Sequence, residues 1–423
     1  MSSKTKTTAA KEEARPALVP KLRFPEFREA GDWEQKHIED FFNVGSSKRV
    51  LQQDWIAQGI PFYRTRELVS LSKNEPFSSE IFISTSLFEE ITQKYGAPQE
   101  GDFLVSGVGT LGISYLVKKS DKFYFKDGNV LWLSRKGGVS SSFFKYCFES
   151  DVIQDQILKQ ASVSTVGTYT IQNAKITKFY CPPTEKEQQK IAESLSSVDE
   201  LMAAQARKVD ALKTHKKGLM QQLFPREGET QPHLRFPEFQ NAPAWEVKPL
   251  GRVAENLDNQ RVPITSSDRK AGDIPYYGAS GIVDYVEGFI FDEDLLCVSE
   301  DGANLVARTY LIAFAISGKT WVNNHAHVLR FENACTQKFV EAYLNSIKLD
   351  DFITGMAQPK LNKAMLDRIP IPHPRVPEQQ LIADCLSSLD TLITAETQKL
   401  EALKTHKKGL MQQLFPLIED IES

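Results

Sequence analysis

Two stretches of the chain carry a helical hydrophobic period. Between 187 and 225, Ile191, Leu195, Val198, Met202, Gln205, Val209, Leu212, Lys216, Leu219 and Leu223 follow at alternating steps of four and three. Between 378 and 416 the same steps select Ile382, Leu386, Leu389, Ile393, Glu396, Leu400, Leu403, Lys407, Leu410 and Leu414. Eight of ten positions in each stripe are apolar, which predicts two long helices with a coiled-coil seam. Pro183 and Pro374–Pro377 precede the runs, and Pro225 and Pro416 stop them. At 1.5 Å per residue each helix would be roughly 55 Å long. A single apolar stripe of that length needs a mate, and the obvious one is the other copy. The polar stripe residues Gln205/Glu396 and Lys216/Lys407 either fix the register or are tolerated polarity on the seam.

Elsewhere the pattern changes to short β-branched and aromatic runs bounded by Gly, Asp and Asn. FLVS, ISYLV, KFYFK, NVLWL, TYLIAFAI and HVLRF read as strands. SSFFKYCFESDVIQDQIL and CTQKFVEAYLNSIKLDDFI read as helices. Each such region is expected to be a mixed α/β globule of ordinary domain size.

The order of these parts repeats. ALKTHKKGLMQQLFP occurs at 211–225 and again at 402–416, and 27 of the 39 positions from 187 to 225 are identical at an offset of 191. LRFPEF followed by WE occurs at Leu22–Phe27 with Trp33-Glu34, and at Leu234–Phe239 with Trp245-Glu246. Weaker echoes link the regions between: IPFY with IPYY, LVSGVGTLG with CVSEDGANL, NVLWL with HVLRF. The chain therefore divides into a disordered tail (1–20), a first domain (21–183), a first helix (184–225), a second domain (226–373), a second helix (374–416) and a short tail (417–423). The predicted fold is α/β, mixed α+β: two similar domains separated by two long helices packed as an antiparallel coiled coil, with an internal pseudo-twofold repeat.

Composition narrows the chemistry. Five scattered cysteines without a C-x-x-C pair argue against a zinc ribbon or disulfide framework and for a reducing cytosol, giving a cytoplasmic expectation. Apolar runs are too short for a membrane span, and the N-terminal residues contain no apolar signal core. Net charge is −4, from 51 Lys+Arg and 55 Asp+Glu, so nucleic-acid affinity would have to come from local patches or from a partner.

Three motifs invite catalytic readings and fail on context. GVGTLG (107–112) matches a dinucleotide loop, but strand-like ISYLVKK follows where a helix is needed. AISGKTW (315–321) resembles a P-loop ending, yet Ala313 stands for the first Gly and WVNN follows; a hairpin turn is expected instead. His325-Ala-His327 would put two imidazoles on one strand face, but no nearby Cys or acidic cluster completes a metal site with the expected ligand count. No catalytic residue and no metal site is assigned.

The order LRFPEF…WE, variable domain, P-x-x-x-EQQ-x-IA…LSS-x-D, ALKTHKKGLMQQLFP, repeated once, resembles the specificity subunit of type I restriction–modification systems, over essentially all of 21–416. The resemblance implies a non-catalytic subunit of a phage-defence complex with two target-recognition domains, each reading one half of a split double-stranded DNA site. It also implies two modification (methyltransferase) subunits and restriction subunits as partners. S-adenosylmethionine, ATP and Mg would be bound by those partners and no cofactor here. Two divergent domains predict an asymmetric target with half-sites about one helical turn, roughly 34–36 Å, apart.

Side chains able to match base edges or phosphates cluster in the polar loops. In the first domain they are Lys48, Arg49, Arg64, Thr65, Arg66, Ser106, Thr110, Thr165, Thr168 and Tyr169. In the second they are Tyr277, Ser280, Asn304, Asn323, Asn324, His325, His327, Gln358 and Lys360. Partner docking is expected at the outward residues of the duplicated segment: Lys213, His215, Lys217 and Gln221, and Lys404, His406, Lys408 and Gln412. Only its seam leucines are expected to be needed for packing. A coiled-coil scaffold binding proteins rather than DNA is the alternative.

Overall fold

The computed structural model describes residues 18–73, 75, 77, 79–161, 167–226, 228–355 and 358–416. Most of the predicted 1–20 tail, the 417–423 tail and Thr165 lie outside the described residues. The chain forms two compact units, 1–203 with 401–423, and 204–400.

In the first unit, β1 (Glu34–His37) pairs antiparallel with β9 (Lys178–Cys181). A four-stranded sheet has the order β2 (Phe42–Gly45), β8 (Val130–Arg135), β5 (Phe103–Ser106), β6 (Ser114–Leu116). A second has the order β4 (Phe82–Ile83), β3 (Ile60–Tyr63), β7 (Tyr124–Phe125), in which β3 and β7 run parallel. The second unit repeats this plan. There β10 (Glu246–Pro249) pairs with β19 (Pro370–His373), and β11 (Glu255–Asn256), β18 (Ala326–Arg330), β15 (Leu295–Ser299) and β16 (Ala313–Ile316) form the larger counterpart. The remaining sheet is β13 (Gly281–Val286), β12 (Ala271–Gly278), β17 (Lys319–Val322), β14 (Phe291–Asp292), again with a parallel pair, β12 and β17. All five residues of β15 are buried, as are all four of β5, so these central strands are apolar on both faces.

Two sequence readings are corrected here. SGKT is not a hairpin turn: β16 pairs with β15, whereas β17 pairs with β12 and β14, so Ser317-Gly318 is a corner between two sheets. Gly318, at φ 64, supplies the left-handed backbone that such a corner needs. The long helix expected over SSFFKYCFESDVIQDQIL is two helices, Ser141–Glu149 and Asp151–Ala161, because Ser150 is extended at ψ 153.

The long helices are Glu185–Leu223 and Val376–Leu414, 39 residues each. No stripe position of either is exposed. Each unit takes the beginning of one helix and the end of the other. Ile191 and Leu195 enter the first unit's core with Leu414 and Phe415, and Ile382 and Leu386 enter the second's with Leu223 and Phe224. The polar stripe residues all have partners. In the second unit Gln205 Nε2 donates to Glu396 at 2.7 Å, and Lys216 meets Asp390 at 2.5 Å. These pairs run antiparallel, since the partner number falls as the residue number rises. In the first unit Lys407 meets Asp199 at 2.8 Å, the equivalent of Lys216–Asp390 at offset 191.

The repeated flanking motifs lock together. Arg23 Nε and Nη2 each donate to the Glu187 carboxylate at 2.8 Å, with the two side chains 6% and 1% exposed. Arg235 grips Glu378 in the same way, at 2.6 and 2.8 Å. Beside them the Leu22 amide donates to the Gln413 carbonyl and the Leu234 amide to the Gln222 carbonyl, both at 2.9 Å. LRFPEF is thus the clasp that holds each domain to the helix ends. Among the described residues no helix is long and apolar enough to cross a membrane.

Candidate nucleic-acid interface

In both units the polar candidates concentrate where two neighbouring parallel strands end. Tyr63 pairs with Phe125 across β3 and β7, and Tyr277 with Val322 across β12 and β17. One residue further on, the Lys126 amide donates to the Tyr63 carbonyl at 2.8 Å and the Asn323 amide to the Tyr277 carbonyl at 3.0 Å. Parallel pairing brings both chain exits to one edge. Arg64, Thr65 and Arg66 therefore leave beside Lys126, and Ser280 leaves beside Asn323, Asn324 and His325. Lys126 was missed in the sequence because its partner strand is about sixty residues away.

At the first edge Arg49 donates to Asp127 at 2.8 Å, and the Lys48 amide donates to the Tyr124 hydroxyl at 3.0 Å. Lys48 Nζ lies 5.2 Å from the Tyr95 ring centroid. Lys48, Arg49, Arg66 and Thr110 are exposed, while Arg64, Thr65 and Thr168 are half-buried. Thr168 bridges to Val108, lining with Ser46, Gly107 and Gly128 a shallow groove of about 370 Å³.

At the second edge Ser280, Asn324, His325, Gln358 and Lys360 are exposed. Lys360 forms a bridge with Asp301, which also receives His325 Nδ1 at 2.8 Å, so the 358–360 loop and the 323–325 turn are adjacent. Tyr277 stacks on Phe314 with ring centroids 6.0 Å apart, and Asn304 closes its own loop by exchanging two hydrogen bonds with the Tyr310 backbone.

Four candidates are buried, with hydroxyl, ring or carbonyl groups engaged internally. Ser106 donates to the Thr110 carbonyl at 2.5 Å and accepts from the Ile113 amide. Tyr169 hydroxyl meets Thr177 Oγ1 at 2.8 Å. Asn323 Oδ1 accepts from the His325 amide at 2.8 Å, which shapes the turn rather than contacting a ligand. His327 is 1% exposed, with Nδ1 2.6 Å from Asp258 and Nε2 2.7 Å from the Leu361 carbonyl.

The expectation that His325 and His327 share a face also fails. His325 precedes β18 in an exposed turn, and His327 points into the core. An acidic pair does stand beside His327: ligand atoms of Asp258, Glu300 and His327 lie within 4.8 Å of one another. These carboxylates are already answered by cations, Arg261 at 2.7 Å and Lys360 at 3.2 Å from Glu300, and Arg261 at 3.4 Å from Asp258. A metal ion would compete with two resident positive charges, so the trio reads as a structural network. Burial pushes the Asp258 carboxyl up, but His327 and the Val328 amide more than reverse this and hold it below the usual range.

The duplicated segment divides by face. Lys213, His215, Lys217 and Gln221 are exposed, as are Lys404, His406, Lys408 and Gln412. Lys213, Lys217 and Gln221 line a groove of about 840 Å³ in the second unit, facing Asp294, Glu341 and Asp390. Lys404, Lys408 and Gln412 line its smaller equivalent of about 200 Å³ in the first, with Glu149 and Asp151. Packing takes more of the segment than the leucines alone. Phe224 and Phe415 are buried, and Met220 and Met411 pack against the two cores. The seam leucines are therefore not the only packing residues of the segment, contrary to the expectation from sequence.

Comparison with known proteins points the same way. A family described as "Type I restriction modification DNA specificity domain" matches the chain twice, over residues 30–214 and 243–405. The chain is 26% identical over 430 residues to the MjaVIII type I restriction enzyme specificity subunit of Methanocaldococcus jannaschii, covering 93% of both. It is 40% identical over 151 residues to a type I restriction enzyme specificity subunit of Haemophilus influenzae; that alignment spans 36% of this chain and 38% of the relative. The fold resembles the crystal structure of a type I S subunit from M. genitalium, with TM-score 0.60, 16% identity, and coverage of 95% of this chain and all of that one. A chain from a structure describing assembly of the type I R-M system matches at TM-score 0.56 and 15% identity, over 91% of this chain and 97% of that one.

Proposed function

The chain belongs to the type I restriction–modification DNA specificity family, and from that premise we propose that it reads a bipartite, asymmetric double-stranded DNA site. Each domain takes one half-site through the edge formed by its parallel strand pair. The observation that carries this is the recurrence of one edge in both units with different side chains: Arg64, Arg66 and Lys126 in the first, Ser280, Asn324 and His325 in the second. Arginine suits guanine O6 and N7, whereas Asn suits adenine and Ser is adaptable, so the two half-sites differ. The chain itself carries no catalytic residue in this reading.

Two copies of a methyltransferase subunit dock on the exposed faces of the duplicated segment, where identical Lys, His and Gln side chains recur beside equivalent grooves. Restriction subunits join through the assembled complex, and S-adenosylmethionine, ATP and Mg belong to those partners. A net charge of −4 accords with a subunit whose positive DNA channel is completed by partners.

The experiment is genome-wide mapping of methylated adenines in cells expressing the chain with its methyltransferase. A split asymmetric motif is expected. Arg64→Ala with Arg66→Ala should weaken target binding and relax one half of that motif, by about 1–3 kcal/mol per lost base contact. An unchanged affinity together with an unchanged motif would remove the first edge from the interface.

A further inference from the structure

The two arginines leaving β3 share two carboxylates, Glu67 and Glu80, that differ greatly in burial. Glu67 is 3% exposed and lies in the first turn of helix Thr65–Ser72. It accepts from the Arg64 amide at 3.0 Å, from Arg64 Nη2 at 2.6 Å and Nε at 3.2 Å, and from Arg66 Nη2 at 3.0 Å and Nε at 3.3 Å. Burial pushes the Glu67 carboxyl up, and Arg64 more than offsets this, leaving it below the ordinary value. Arg64 is therefore clamped on a buried carboxylate that, without it, would keep only the solvent-exposed Arg66 as a counter-charge.

Arg66 has a second, open partner. Its Nη2 lies 2.7 Å from Glu80, and the two side chains are 62% and 58% exposed, while Arg64 Nη2 stands farther from the same carboxylate at 3.4 Å. Sheet register brings Glu80 there. β4 pairs antiparallel with β3, and the Phe62 amide donates to the Ile81 carbonyl at 3.0 Å, which sets Glu80 beside the end of β3. An exposed ion pair contributes little and exchanges readily with water or another anion. A phosphate oxygen offers Arg66 the same charge-assisted bond that Glu80 provides.

We propose that Glu80 is a stand-in for a DNA phosphate: on binding, Arg66 exchanges it for the backbone, while Arg64 stays fixed on Glu67 to face a base. Glu80 then sets how firmly the first domain holds DNA of any sequence. Each nonspecific encounter must displace it, which lowers sequence-independent affinity while the clamped Arg64 keeps its discrimination. This rests on the DNA-recognition reading above.

The test measures binding of the full chain, with its methyltransferase partner, to a random-sequence duplex at several salt concentrations. Glu80→Gln keeps the side-chain shape and removes the charge, and it should raise affinity about two- to five-fold. Arg66→Ala should weaken binding and flatten the salt slope by roughly 0.9, the loss of one phosphate contact. The gain from Glu80→Gln should vanish in the Arg66→Ala background. Both positions are exposed, and circular dichroism checks that the variants fold. An unchanged affinity for Glu80→Gln, or an equal gain when Arg66 is absent, overturns the proposal. If the wild-type assembly binds no duplex at all, the DNA-recognition reading fails with it; if it binds and Glu80→Gln has no effect, only the role of Glu80 fails.

Discussion

Replacing Glu187 by Gln should destabilise the first unit and leave the second nearly untouched. Glu187 is fully buried and accepts three hydrogen bonds: Arg23 Nε and Nη2 at 2.8 Å each, and Trp33 Nε1 at 3.2 Å. A glutamine keeps the volume and one acceptor oxygen but removes the counter-charge and sets an NH2 donor against the Arg23 guanidinium, 6% exposed, whose other acceptor is the Gly31 carbonyl at 2.7 Å. Breaking one side of a buried ion pair costs about 3–5 kcal/mol. For a unit of this size that corresponds to a fall in Tm of roughly 6–20 °C. Scanning calorimetry of the full chain measures it, and comparison with the matching variant of the second unit assigns the transition. Glu378→Gln is the internal control: it removes the Arg235 clasp of the second unit, where the buried Trp245 Nε1 has no partner among the described residues and one fewer hydrogen bond is lost. Exchanging both members for apolar residues, Arg23→Met with Glu187→Leu, should recover most of the loss, because no buried charge is then left alone. A cost below about 1 kcal/mol for Glu187→Gln, or a double variant no better than the single, would refute the view that the clasp is a desolvated pair.

Other outcomes follow from the helix ends and the seam. Phe224 packs edge-on against Phe339 and Tyr343, at 5.3 and 5.4 Å between ring centroids, so Phe224→Ala should cost the second unit about 3–5 kcal/mol in urea unfolding, and Phe415→Ala should act on the first. Donors from Gln205, Lys399 and Lys208 hold the Glu396 carboxyl down to about 2 against an ordinary 4.5. Its contribution is therefore complete above about pH 4.5, drains as pH falls toward about 2, and should show as an acid limb in Tm that Glu396→Gln abolishes. Lys217→Ala with Gln221→Ala, in the first copy alone, should leave one methyltransferase subunit bound in place of two by native mass spectrometry; normal assembly would instead favour a genetic origin for the repeat.

ALKTHKKGLMQQLFP shows how far each level reaches. Its seam leucines and its exposed Lys, His and Gln were legible from periodicity, because the 3.6-residue turn assigns faces without knowing the partner. The packing of its Met and Phe was not legible there, since the surface they cover comes from residues distant in the chain: Phe415 meets Trp33 and Phe143. Polar candidates divided similarly. Arg66, Asn324 and Lys360 are exposed as their loop character suggested, whereas Ser106, Tyr169, Asn323 and His327 resemble them in sequence yet are buried.

By itself the sequence determined the internal repeat, the two long helices, the mixed α/β class and the family, because repetition and periodicity are properties of residue order. Tertiary structure alone decided that Arg23 clasps Glu187 and that Arg261 and Lys360 answer the acids beside His327. It alone placed Lys126 beside Arg64 at the end of a parallel strand pair. Burial and charge pairing are set by neighbours from remote parts of the chain, and local order holds no record of which remote groups will share a desolvated site.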